Sequence, residues 1–320
     1  MRRLCLAAAI IALLQAGAGC HKAENTALAS GKDGAGLDAR LARLTESLAN
    51  PDSGEARGKP IARWLLPPEL AEISGLALTP DGRLFVHNDE SARITELDYR
   101  RGTVIKHFFV GEKGDLSGDF EGLACAGDRF FLLESNGKLY EFREGAEGER
   151  VDYTLHDTHL GKECEFEGVA YDSTANALVL ACKRAGVKQL KKMLLLYRYR
   201  LDQAGGETSE LTVPYSEAVG KNSWKQLRPT DITVDPSSGN YALVAAQEKA
   251  LVVLTPAGAV VLSRPLGGRH AQPEGIAITR DHILIIADEA TNGAATITLY
   301  HWPRDGVRDG ARVADLPLHG

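Results

Sequence analysis

The sequence lacks several features that would identify common classes of protein. It has no basic excess: 37 lysines and arginines stand against 43 aspartates and glutamates, for a net charge of −6. Because a nucleic-acid partner normally requires a basic face, this balance argues against nucleic acid. No spacing of histidine and cysteine is typical of a zinc site. No nucleophile elbow or Ser–His–Asp order supports covalent hydrolysis.

The sequence also has no apolar run long enough for a permanent transmembrane helix, which needs about 20 residues. Its apolar run at residues 4–14 follows Met1-Arg2-Arg3 and leads into small residues, so we interpret residues 1–19 as an export signal. The ending Gly17-Ala18-Gly19-Cys20 resembles a bacterial lipoprotein lipobox, although Gly17 stands where leucine is usual. We therefore expect a lipid on Cys20 that anchors the protein to a membrane of the bacterial cell envelope, facing the periplasm. Plain secretion is the alternative.

Cysteine is scarce, with five residues in the chain. If Cys5 leaves with the signal peptide and Cys20 carries the lipid, Cys125, Cys164 and Cys182 remain. Three is an odd number in an oxidising compartment, so one pair could form, and the sequence does not say which. We expect these cysteines to act as small buried hydrophobic residues.

The sequence does contain a short repeated pattern: a polar or acidic residue, usually followed by glycine, and then a short apolar stretch. Its key residues are Ser74, Glu121, Glu167, Asp231 and Glu274, at intervals of 47, 46, 64 and 43 residues. This is the period of one β-propeller blade. The pattern predicts an all-β fold, a β-propeller of five four-stranded blades over residues 61–320, with six blades as the alternative.

Two segments lie outside the repeats. Residues 20–60 are interpreted as a tether that ends in a short amphipathic N-terminal helix, since leucines recur at helical spacing from Leu37 to Leu48. The sequence of residues 61–66 predicts a strand. This strand is either surplus or closes the ring by pairing with the last blade. Residues 312–316 are the other candidate for the last strand of the ring.

The key residues of the repeats should meet at one mouth of the central channel, because the innermost strand of each blade lines that channel. Carboxylates that converge there must be protonated, paired or bridged by a cation. Ca²⁺ is the simplest bridge, since it accepts oxygen ligands in loose geometry. The predicted metal ligands are Glu121, Glu167, Asp231, Glu274 and Ser74. In the alternative interpretation each acidic residue accepts backbone N–H bonds from the neighbouring blade.

The loops that open at the same mouth supply candidate ligand-binding residues. These are Asp89, Glu134, Lys183, Arg184, Arg228 and Asp288. The basic members could bind a small anionic ligand or pair with carboxylates. The sequence thus predicts a monomeric, envelope-anchored propeller that binds calcium, together with a ligand or an envelope protein, at the mouth of its channel.

The repeats resemble a known family. Residues 72–77, 119–124 and 273–277 resemble the SdiA-regulated (YjiK-like) bacterial β-propellers, over about residues 65–303 of the chain. This resemblance implies the fold and an exported or membrane-associated protein. More distantly, the Glu-Gly repeats are similar to gluconolactonase-like and phytase-like propellers, which hold calcium in or over the channel. That likeness implies an alternative function, a calcium-dependent hydrolase of lactones or phosphate esters with a carboxylate, His159 or His270 as base.

Overall fold

The computed structural model describes residues 39, 41–42, 44–46, 49, 60–113, 116–202 and 208–304. The first strand, β1 (Ala62–Leu65), belongs to the last blade. Blade 1 contains β2 (Ile73–Leu78), β3 (Leu84–Asn88), β4 (Arg93–Asp98) and β5 (Thr103–Val110). Blade 2 contains β6 (Phe120–Ala126), β7 (Arg129–Glu134), β8 (Lys138–Arg143) and β10 (Tyr153–Asp157), while the short β9 (Arg150–Val151) adds to β5 in parallel.

The remaining three blades follow the same antiparallel plan. Blade 3 contains β11 (Cys164–Asp172), β12 (Ala177–Ala185), β13 (Met193–Arg200) and β14 (Thr208–Pro214). Blade 4 contains β15 (Asp231–Val234), β16 (Tyr241–Ala245), β17 (Ala250–Leu254) and β18 (Val260–Pro265). Blade 5 contains β19 (Pro273–Ile278), β20 (Ile283–Asp288), β21 (Thr296–His301) and β1. Short helices lie at Pro68–Leu70, Lys188–Leu190 and Tyr215–Ala218. The prediction of a five-bladed propeller is confirmed.

The hydrophobic core lies between the blades. Each of five clusters of buried aliphatic and aromatic side chains joins residues of two neighbouring blades, and together they follow the ring. The inner strands are apolar on both faces because each is sandwiched in this way; all six residues of β20 are buried. The blades therefore stabilise one another, and the ring must be closed to cover the apolar face of the last one.

Closure is made by β1, which pairs antiparallel with β21 from Ala62 opposite Leu299 to Leu65 opposite Thr296. Trp64 and Leu66 are buried in the cluster between blades 5 and 1. Of the two interpretations of residues 61–66, surplus strand or ring closure, the structure shows closure, whereas residues 312–316 lie outside the described residues. Closure leaves no open edge between the first and last blades.

The predicted N-terminal helix is present in the part of it that the structure describes, since residues 39, 41–42, 44–46 and 49 are helical. Leu44 is only 3% exposed and belongs to the same cluster as Trp64. The helix is thus attached to the propeller through its apolar side. No helix of the described residues is long and apolar enough to cross a bilayer. The signal peptide, Cys20 and most of the tether lie outside the described residues.

The glycines of the repeats let neighbouring inner strands come close. A Cβ added to Gly122 would lie 2.8 Å from the backbone nitrogen of Val169 in the next blade. A Cβ on Gly168 would lie 2.7 Å from the Cα of Asp231. Backbone atoms cannot move away as a flexible side chain can. Glycine at positions 122 and 168 is therefore required by the close approach of the inner strands.

The cysteines differ from expectation in one respect. Cys164 and Cys182 form a disulfide, with Cα atoms 5.7 Å apart, so the expectation that they act only as small buried hydrophobes is wrong. Cys125 is a buried free thiol, as expected, and burial raises its pKa to about 12. The disulfide joins the first two strands of blade 3, where blade 3 reaches the channel.

Removal of β1 tests the closure. A chain that begins at Glu69 should lose roughly 3–6 kcal/mol of unfolding free energy, because it loses the burial of Trp64 and Leu66, at about 1.5–3 kcal/mol each, and exposes β21. Denaturant unfolding measures this. A chain that begins at Pro60 retains β1 and is the control, losing only what Leu44 contributes. Equal stability of the two chains would contradict the closure.

Candidate functional site

Four of the five predicted key residues are β-bulges at the start of an inner strand. In blade 1, Ile73 pairs with Asn88 and Gly75 with His87, so that Ser74 is left out of the ladder. The register passes over three further residues in the same way, namely Glu121, Glu167 and Glu274. A bulge leaves its extra residue unpaired in the ladder and redirects the side chain. The repeated polar-Gly pattern is thus a bulge that aims one polar side chain at the channel mouth.

Blade 4 departs from this pattern, and the structure corrects its alignment by one residue. Asp231 pairs regularly with Val244 and is not a bulge. Its Cα faces Gly168 as the Cα of Gly122 faces Gly75, so Asp231 stands where the other blades have glycine. The residue equivalent to the bulges is Thr230. The five side chains at the mouth are therefore two hydroxyls, Ser74 and Thr230, and three carboxyls.

Asp231 is fully buried and holds the ring together. One of its carboxylate oxygens accepts the N–H of Ile232, and the other accepts the N–H of Ile276 in blade 5, both at 2.8 Å. Burial raises its pKa well above the usual range, and these backbone donors oppose the rise. At this residue the structure agrees with the alternative interpretation, a bond to the neighbouring blade.

The three glutamates surround one lysine. The Nζ of Lys183 lies 2.6 Å from an Oε of Glu167, and Ser74 donates a hydrogen bond of 3.3 Å to Glu121. Burial, and next the charge of Glu167, raise the pKa of Glu121 well above its usual range. Burial also raises the pKa of Glu167, against the opposing effect of Lys183. The mouth therefore holds more carboxyl groups than this lysine can neutralise.

The pKa shifts of Glu274 and Lys183 both reflect this excess of carboxyl groups. Burial first, and then the charge of Glu167, raise the pKa of Glu274 to about 7, while Lys183 opposes the rise. Burial acts to lower the pKa of Lys183, but Glu167, Glu121 and Glu274 outweigh it and raise that pKa. The ammonium of Lys183 is thus held charged by all three glutamates.

A cavity of about 260 Å³ opens beside this cluster. Polar side chains from blades 3, 4 and 5 and the loops between them line most of it: Lys183, Arg228, Thr230, Gln247, Gln272 and Glu274. Thr230 and Gln272 are not among the site residues predicted from the sequence. Thr230 was hidden by the shifted alignment of blade 4. Gln272 lies directly before the Pro-Glu-Gly stretch that the repeat pattern did identify.

Most of the other predicted ligand-binding residues have partners of their own. Arg184 forms a surface ion pair with Glu165 at 3.2 Å, and Arg228 lies 3.5 Å from Glu248. Two of the three acidic residues of this set in other blades are held by side-chain hydrogen bonds: Tyr140 donates one to Glu134, and Asp288 is bonded to His270. Asp89 differs, because its Oδ1 is buried without a hydrogen-bond partner among the described residues, and burial raises its pKa. Only Lys183 and Arg228 of this set line the 260 Å³ cavity.

Neither histidine of the hydrolase alternative is placed as a base at the mouth. His270 is buried, and its ring nitrogens lie 2.7 Å from Asp288 and 2.7 Å from the hydroxyl of Tyr300. The side chain of His159 is 85% exposed beside Asp157. A hydrolase built on this site would have to use a carboxylate as its base.

A second cavity, of about 610 Å³, opens elsewhere along the inner strands. Aliphatic side chains of all five blades line it, among them Leu76, Leu123, Val169, Ile232 and Ile278. None of the predicted site residues reaches it. Among the described residues, no group of three or more histidine, cysteine, aspartate or glutamate side chains is placed to hold a metal ion, so calcium binding stays a prediction.

Comparisons with known proteins support the fold. No protein-family model matches the chain, and no curated protein matches it significantly. Glutaminyl cyclase of Myxococcus xanthus superposes with a TM-score of 0.53 at 14% identity, over 77% of this chain and 97% of that one. PQQ-bound aldose sugar dehydrogenase of Streptomyces coelicolor gives a TM-score of 0.47 at 13% identity, over 76% of this chain and 98% of that one. The likeness to the glutaminyl cyclase shows a β-propeller fold alone, and membership of the SdiA-regulated family stays a prediction.

The raised pKa of Glu274 predicts a pH-dependent stability. The folded carboxyl has a pKa of about 7 against an ordinary value of 4.5, so the folded state binds the proton more tightly than the unfolded state. The contribution of protonated Glu274 to the free energy of unfolding is complete below pH 4.5 and is lost as the pH rises to about 7. Glu274→Gln should therefore gain on the order of 1–2 kcal/mol over the parent across this window, with no further gain above it.

Denaturant unfolding at pH 4.5, 6, 7 and 8 measures this difference. Glu165→Gln, which removes an exposed carboxyl near the same mouth, is the matched control. A constant difference between Glu274→Gln and the parent at all four pH values would contradict the raised pKa.

Proposed function

We propose that the protein is an envelope-anchored β-propeller that binds a small cation at the mouth of its channel, with Ca²⁺ as the first candidate. One observation carries the proposal: β-bulges on three blades direct Glu121, Glu167 and Glu274 into one mouth around Lys183. A fold stabilised only by its core would not need three partly buried carboxyls in one place.

The charges at the mouth favour a cation. The ammonium of Lys183 contacts Glu167, whereas Glu121 and Glu274 have no cation at contact distance among the described ion pairs. Ionised carboxyls held close together in a partly buried site repel one another and resist ionisation. A bound cation relieves this repulsion, and it can do so only in the folded protein, which brings the blades together.

The residues fit Ca²⁺ in part. Glu121, Glu167 and Glu274 would supply carboxylate oxygens, and Ser74 and Thr230 hydroxyl oxygens, which are hard ligands of the kind calcium prefers. Asp231 would not contribute, because both of its oxygens accept backbone N–H groups. Lys183 forms an ion pair with Glu167, and no group of three carboxyls is preassembled among the described residues. A calcium ion would therefore have to displace the ammonium. Lys183 is thus a competitor of the cation.

Two observations support the envelope. The disulfide Cys164–Cys182 is of a kind that persists in oxidising compartments such as the periplasm. The export signal and the Gly19-Cys20 ending of residues 1–20 provide the route there and the anchor. The proposed protein is thus tethered by its N terminus and presents the mouth of its channel to envelope solutes.

Calcium should raise the melting temperature of the parent. The expected gain in unfolding free energy is about 2.7 kcal/mol at a hundredfold excess over Kd. Glu167→Gln should weaken this response, because it removes one charge and keeps the shape. Lys183→Met should strengthen calcium binding, because no ammonium has to be displaced, while it lowers the stability of the metal-free protein at neutral pH.

Thermal unfolding with chelator, with Ca²⁺ and with Mg²⁺ measures these responses, and Glu210→Gln, on the outer strand β14, is the control for a lost charge outside the cluster. If Ca²⁺ leaves the melting temperatures of both the parent and Lys183→Met unchanged, the cation proposal is wrong. A response of equal size in Glu167→Gln and Glu210→Gln would place the cation elsewhere.

The anchor has its own test. Cys20→Ser should move the protein from the membrane fraction to the soluble fraction, because one cysteine carries all the acyl chains. Cys5→Ser, within the export signal, is the control and should leave the distribution unchanged. Membrane fractionation followed by immunoblotting measures both. A Cys20→Ser protein that remains membrane-bound would refute acylation at this residue.

A further inference from the structure

Blade 3 differs from the other bulged blades at the channel mouth. In blades 1, 2 and 5 the first two strands show one register shift there. In blade 3 they show two, between Glu165 and Phe166 and between Phe166 and Gly168. Phe166 pairs with Cys182, and this single pair stands between the two irregularities.

The two irregularities fall on opposite strands. Between the pairs Glu165–Arg184 and Phe166–Cys182, the ladder passes over Lys183 on β12. Between the pairs Phe166–Cys182 and Gly168–Ala181, it passes over Glu167 on β11. Each strand therefore releases one charged residue from the ladder. The two released side chains meet, with 2.6 Å between Nζ and Oε1.

This arrangement is unfavourable without support. Each bulge disrupts the ladder locally, and the ion pair that results is costly to desolvate because Glu167 is almost fully buried. Ordinary pairing of β11 with β12 would remove both bulges and separate Lys183 from Glu167. Something in blade 3 must therefore hold the paired bulges.

The disulfide lies at this place. Cys182 is the residue of the single ladder pair between the bulges and directly precedes Lys183, while Cys164 precedes Glu165 on the opposite strand. Both half-cystines are buried. The cross-link therefore ties the bulged segment of β12 to the entry of β11, offset by two positions from the ladder partner of Cys182.

We propose that the Cys164–Cys182 disulfide is a positioning element of the channel mouth, which holds the paired bulges of β11 and β12 so that Lys183 meets Glu167. Without the disulfide, β12 relaxes toward regular pairing and the ammonium leaves the carboxylate. As far as it concerns cation binding, this inference rests on the proposed function: the disulfide then keeps in place the residue with which an incoming cation competes.

The first test requires no ligand. In the parent the pKa of Lys183 is raised by the three glutamates, and ¹³C NMR of the lysine side chains reports its titration, with the signal assigned by its loss in Lys183→Met. In Cys164→Ala/Cys182→Val, which keeps the site apolar, this pKa should fall toward the ordinary 10.5. Cys164→Ser/Cys182→Ser provides a second variant in case the first does not fold. An unchanged Lys183 titration in a folded variant would overturn the proposal.

The second test is a double-mutant cycle with Ca²⁺ as the probe. If the disulfide acts through Lys183, Lys183→Met should tighten Ca²⁺ binding about tenfold in the disulfide-bonded protein, about 1.4 kcal/mol, and much less in the disulfide-free background. A disulfide that only stabilises the fold would lower the melting temperature and leave the effect of Lys183→Met the same in both backgrounds, which would refute the positioning role.

The two tests separate the failures. If Ca²⁺ binds no form of the protein, the cation proposal fails, and the titration of Lys183 still decides the role of the disulfide. If Ca²⁺ binds and the two effects are additive, the cation proposal stands and the positioning role fails.

Discussion

The narrow contact between the five inner strands is the constraint on which the rest of the structure depends. Gly122 and Gly168 face backbone atoms of the next blade at distances that no Cβ could occupy. The interblade clusters form only when the strands come this close, and hydrophobic burial between blades is what stabilises a ring of sheets. Glycine in the repeats is therefore a packing requirement first, and the site at the mouth follows from it.

The polar residue before each glycine is a consequence of the same geometry. In a regular ladder that side chain would stand on one face of the sheet, toward a neighbouring blade, whereas a bulge releases it toward the axis. In three blades the released group is a glutamate, and the shared mouth then concentrates carboxyls in a partly buried space. Blade 4 avoids a fourth one at the bulge position: its carboxylate, that of Asp231, sits in the place of glycine and binds the backbone of blade 5. The acidic residue of blade 4 thus stabilises the ring, whereas those of blades 2, 3 and 5 contribute carboxyls to the mouth.

Lys183 distinguishes the mouth from a plain cluster of carboxyl groups. It lies on β12, the second strand of its blade, and reaches Glu167 only because both strands bulge around one pair of residues. The disulfide beside it is the only covalent cross-link between side chains that the described residues contain. If the proposed cation binds, it competes with this ammonium, and the site would respond to both pH and cation concentration, since both change the same carboxyls.

The sequence alone determined the elements that depend on local pattern. The spacing of Glu121, Glu167 and Glu274 predicted the blades, and residues 61–66 were identified as a strand that was either surplus or closed the ring, because period and alternation are properties of the chain itself. The alignment of blade 4 was misplaced, because Thr230-Asp231-Ile232 carries no glycine to mark the bulge.

Only the tertiary structure decided which groups meet. Lys183 was predicted to lie at the mouth. Its pairing with Glu167 depends on two bulges, and no local pattern in the sequence encodes their register. The partner of Cys182 was open for the same reason. The capping role of Asp231 arises from a backbone N–H that lies 45 residues away in the chain. Contacts between blades depend on how the ring closes, and distances across a closed ring are set by all five blades together.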